Sequence, residues 1–88
     1  MIERIEKIAE KHGYLKQLRH RLYYLFGCFL QDMVNYLVFG ELSTDEEIRE
    51  FQKTIDREKC DPEDFNTYLD LFEKYMEFGL NDLNKTIS

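Results

Sequence analysis

A chain of 88 residues, 43% hydrophobic and 34% charged, has the composition of one small folded domain spanning residues 1–88. That balance excludes disorder, and the length leaves little room for a deep substrate pocket. The net charge of −6 weighs against a nucleic-acid partner, and it is unevenly placed: residues 1–40 carry a net +2 and residues 41–88 a net −8.

Two cysteines, Cys28 and Cys60, are too few for a disulfide scaffold, and Met1–His12 is charged where a signal peptide needs an apolar core. A cytoplasmic location is therefore the expectation. The fold expected is all-α, a small bundle of three or four helices built on a long apolar central helix.

The first element is open to two readings. Ile8, Leu15, Leu22, Phe29 and Tyr36 recur every seven residues across Gly13, the register of a single continuous helix. Lys11, His12 and Gly13 equally resemble a helix C-terminus, which would make two helices. A single helix from Ile2 to Phe39 would run about 57 Å at 1.5 Å per residue and overhang a globule of this size. Within it, Leu22–Phe39 is the most apolar stretch of the chain. Gln31, Asp32 and Asn35 interrupt it, so it reads as a core helix and not as a membrane span. Gly40 and Glu41 end it. Cys28 reads as a small packing residue.

Ser43 or Thr44 can cap the next helix, with Glu46 or Glu47 three residues on. Its apolar set is Ile48, Phe51 and Ile55, and Pro62 bounds it near Cys60. Asp61-Pro62-Glu63-Asp64 then reads as the start of the last helix, with Asp61 at the N-cap and Pro62 in the first helical position. Its main face is Phe65, Leu69, Phe72, Met76 and Leu83, continuing to about Asn84, with Gly79 admitted on the buried side. Leu71, Tyr75 and Phe78 widen that face, so the helix needs cover on two sides. A second copy of the chain is the expected cover, in a homodimer that buries Leu71 and Phe78.

No phosphate loop, metal motif, calcium loop or nucleophile elbow is present in the sequence, so neither an enzyme nor a cofactor or metal is expected. The leading reading is a non-enzymatic regulatory or inhibitory module that binds a target protein by a helix face. Its candidate residues are Leu71, Tyr75 and Phe78 with the acid row Asp70, Glu73 and Glu77. The alternative is a nucleic-acid binder using Lys16, Arg19, His20 and Arg21, which Tyr23 and Tyr24 follow. A third possibility is an enzyme subunit whose site forms only on assembly.

Overall fold

The computed structural model describes residues 2–13 and 19–80. Four helices follow in order: α1 (Ile2–Lys11), α2 (Arg19–Phe39), α3 (Glu46–Thr54) and α4 (Phe65–Glu77), with a single 3-10 turn (Arg57–Lys59) between α3 and α4. No strand occurs among the described residues. The all-α bundle with a long apolar central helix is the fold observed.

The break at Gly13 is real, and the N-terminal region is two helices. The amide of His12 bonds to the carbonyls of Ile8 and Ala9, that of Gly13 bonds to Glu10, and Gly13 itself lies at φ +79°. A residue with a Cβ is strained there, so helical geometry stops. The seven-residue register survives as burial, because Ile8, Leu22, Phe29 and Tyr36 all face the core. Leu15 lies outside the described residues. Since the chain turns back, it fits within 35 × 26 × 17 Å, and the length a single straight helix would have projected beyond the globule is absent.

α2 is the spine. Leu22, Leu25, Phe26, Phe29, Met33, Tyr36 and Leu37 form its buried stripe, with Tyr23, Leu30 and Val34 packed half-buried along one flank. Ile5, Ile8 and Ala9 of α1 join the same core. On the other side α4 contributes Phe72, whose ring lies 4.9 Å from Phe26 and 5.4 Å from Phe29, and Tyr75, 5.1 Å from Phe29. Burying a side chain of this size contributes about 1.5–3 kcal/mol, and tilted or edge-on ring pairs add a fraction more.

Element ends depart from the sequence expectations in instructive ways. Asp45, and not Ser43 or Thr44, caps α3: its carboxylate accepts from the amides of Glu47 and Ile48 at 3.0 and 3.2 Å. Ser43 instead accepts from the Asp45 amide and shapes the approach. α3 stops at Thr54, well short of Cys60, because Ile55 turns to an extended conformation and Asp56 caps the 3-10 turn.

Asp61 likewise does not open α4. Its carboxylate accepts from the Glu63 amide at 2.9 Å and its carbonyl accepts from Asp64, which closes a turn around Pro62. Asp64 is the N-cap, accepting from Asn66 at 2.9 Å. Proline after an aspartate suits a turn as well as a first helical position, and the hydroxyl of Tyr68 secures the turn by donating to the Pro62 carbonyl at 2.5 Å. Asp64→Ala is accordingly expected to cost about 0.5–2 kcal/mol, and Asp61→Ala less. Urea midpoints decide between them, and a larger loss at Asp61 would return the cap to that residue.

α4 ends at Glu77. Gly79 adopts φ +88° just past the helix, its amide bonds to Met76, and the Leu80 amide reaches back to Tyr75. This closing motif needs a residue without Cβ at its left-handed position and an apolar residue after it, and Leu80 is buried as required. Gly79 is thus an exposed helix terminator and not a point of close helix approach. Leu83 lies outside the described residues.

Candidate functional site

The row Leu71, Tyr75 and Phe78 does have cover on its second side, and α3 supplies it. Phe51 of α3 packs edge-on against Tyr75 at 5.7 Å and against Phe78 at 5.8 Å. Leu71 and Tyr75 are buried within the chain, whereas Phe78 remains 53% exposed. The surface on which a dimer was expected is therefore largely internal, and Phe78 alone of the three stands at the surface.

What remains there is a cleft of about 530 Å³ between the α3–turn segment and α4. Phe51, Ile55, Leu71 and Phe78 give it apolar walls, and Thr54 and Thr67 add hydroxyls. Lys59 and Lys74 stand at its edge, Lys59 paired with Asp56 at 3.5 Å and Lys74 in no ion pair among the described residues. Cys60 lines the same cleft, half-buried. Burial pushes its thiol up, with Asp56 acting in the same direction and Lys74 against it, so the thiol is not an activated nucleophile. On the opposite side of Phe78, a second depression is lined by Glu46, Glu47 and Glu50. Asp56 and Asp70 line the cleft as well, so Phe78 stands as an apolar ridge between a cleft of mixed charge and a depression whose charged residues are all acids.

The acid row is matched by the chain's own cations. Arg4 pairs with Asp70, and the Lys11 ammonium lies 2.9 Å from Glu73 and 3.4 Å from Glu77. Hydrogen bonds to Glu73 and then Glu77 push the Lys11 ammonium up, which marks all three as partners. These are exposed pairs, individually weak, that register α1 along α4.

The basic patch is described in part. Lys16 lies outside the described residues, Arg19 pairs with Glu6 at 3.1 Å, and His20 and Arg21 are exposed on the first turn of α2. Tyr23 also donates to Glu6 at 3.0 Å. Tyr24 is 76% exposed. His12 is half-buried, and its Nε2 has no hydrogen-bond partner among the described residues. Cys28 is exposed on the outer face of α2 and not packed in the core.

Two long-range contacts were not legible in the sequence. Gln52 is completely buried: its amide nitrogen donates to the Asp32 carbonyl at 3.0 Å, and its oxygen accepts from the Ser43 amide at 2.9 Å. The signal was its position, four residues after Ile48 and three before Ile55, on the apolar stripe itself. Arg57 donates to the Leu37 carbonyl at 3.3 Å and holds its guanidinium 5.1 Å above the Tyr36 ring. Asp32 belongs to the same corner. Burial pushes its carboxyl up, and the Asp45 carboxylate adds to that.

No protein family matches this chain, and neither the curated proteins nor the solved structures contain a match to it.

Proposed function

We propose that this protein is a non-enzymatic binding or regulatory module that docks a target protein on the Phe78 ridge between α3 and α4. The observation that carries this reading is a half-exposed aromatic ring beside an apolar-walled cleft, with lysines and acids on one flank and acids on the other. A scattered exposed leucine has no such meaning, but a ring at the lip of a cleft is the usual anchor of a small protein interface. Lys74, in no ion pair among the described residues, favours a carboxylate from the partner, while Glu46 and Glu47 favour a cation. The matching ligand is an amphipathic segment with an apolar side chain between an acid and a base.

The test is a pull-down from the source cell combined with amine-directed cross-linking and mass spectrometry. Phe78→Glu is expected to stay folded by circular dichroism and to weaken capture at least about tenfold. Cross-links of the wild type should fall on Lys59 and Lys74. Equal capture by the variant, or cross-links confined to Lys7 on α1, would sink the reading.

A further inference from the structure

The outer face of α2, on the side away from the core, is separate from the Phe78 ridge and has an internal symmetry. Tyr24, Gly27, Gln31 and Val38 lie within an arc of roughly 60° on the helix, and all four are exposed. About Gln31 the face is self-matching, because Tyr24 and Val38 are each seven residues away and Arg21 and Glu41 are each ten. Charge follows the same symmetry. The N-terminal end of α2 carries His20 and Arg21 beside an Arg19 paired with Glu6, while the chain just past its C-terminal end carries Glu41.

We propose that a second copy of this chain docks here, α2 against α2 in antiparallel sense, with the two-fold axis at Gln31. Antiparallel pairing places each cationic end over the acidic end of the other copy, whereas same-end pairing sets cations against cations. It also lays Tyr24 on Val38 of the second copy, so the apolar parts of the face cover one another. Gly27 fits the same arrangement. A glycine inside a helix weakens it relative to alanine, yet a Cβ at Gly27 would meet nothing within 4 Å in this chain. Nothing inside the chain requires the missing side chain, and a second helix lying close against it would.

Sedimentation velocity with light scattering at about 100 micromolar tests this, a concentration at which even weak dimers show. The wild type is expected to be dimeric. Tyr24→Arg should weaken the dimer at least about tenfold without changing the fold. Arg21→Glu and Glu41→Arg should each weaken it by about three- to tenfold, and the doubly exchanged chain should recover most of the loss. Gln31→Cys in a Cys28→Ser background should yield a disulfide-linked dimer under mild oxidation, because the axis brings the two thiols together. A monomeric wild type overturns the inference. So does a dimer that Phe78→Glu dissociates and Tyr24→Arg leaves intact, since its interface would be the α3–α4 cleft. A monomer from which Tyr24→Arg removes a different bound protein overturns it as well.

Discussion

Gln52→Ala is expected to destabilise the protein by about 2–4 kcal/mol, an effect usually reserved for large apolar side chains. The residue is completely buried, and its amide joins three parts of the chain: α3 that carries it, the Asp32 carbonyl of α2, and the Ser43 amide in the connecting loop. Truncation leaves a cavity and removes the acceptor of the amide of half-buried Ser43. Gln52→Leu separates the two contributions, because it fills the space and loses only the hydrogen bonds. It should cost about 1–3 kcal/mol, most of it from the stranded Ser43 amide. Urea unfolding with an unchanged slope would verify both values. A leucine variant as stable as the wild type would show that Ser43 finds water instead.

Phe72→Ala should be the more damaging, at about 3–5 kcal/mol. Its ring is fully buried and lies within 6.2 Å of the rings of Phe26, Phe29 and Tyr75, so its loss opens a void where α2 and α4 meet. Small domains hold only about 5–15 kcal/mol in total, so a loss of this size removes a large share of the stability of an 88-residue chain. The measurable consequence is loss of a cooperative thermal transition near 37 °C, with exposed apolar surface that binds a hydrophobic dye. An alanine variant that melts like the wild type would place the centre of the core elsewhere.

The helical class and the two-sided face of α4 were legible because periodicity is a local property of sequence, and Leu69, Leu71, Phe72 and Tyr75 carry it plainly. Helix ends were less so. Asp61 and Asp64 both have the chemistry of a cap, and the choice falls to Asp64 because the carbonyl of Pro62 is engaged by Tyr68, six residues later. Long-range pairing was not legible at all. Asp70, Glu73 and Glu77 read as a free acidic row, and their cations are more than sixty residues away on α1. The cover of the Leu71 row was open for the same reason. A short helix with Ile48, Phe51 and Ile55 looks too small to cover another face, yet one ring, Phe51, reaches both Tyr75 and Phe78.

The contact of Arg57 with the end of α2 ties the breathing of one element to another. The last turn of a helix ordinarily frays by itself, and its amides exchange with solvent within moments. Here the Leu37 carbonyl is held by a guanidinium from twenty residues downstream, which also lies 3.2 Å from where a Cβ at Gly40 would stand. Opening that turn must break the contact with the Arg57 guanidinium, which the 3-10 segment carries. Deuterium uptake at the end of α2 should therefore follow the opening of residues 57–59, and Arg57→Ala should release it while the middle of α2 stays protected.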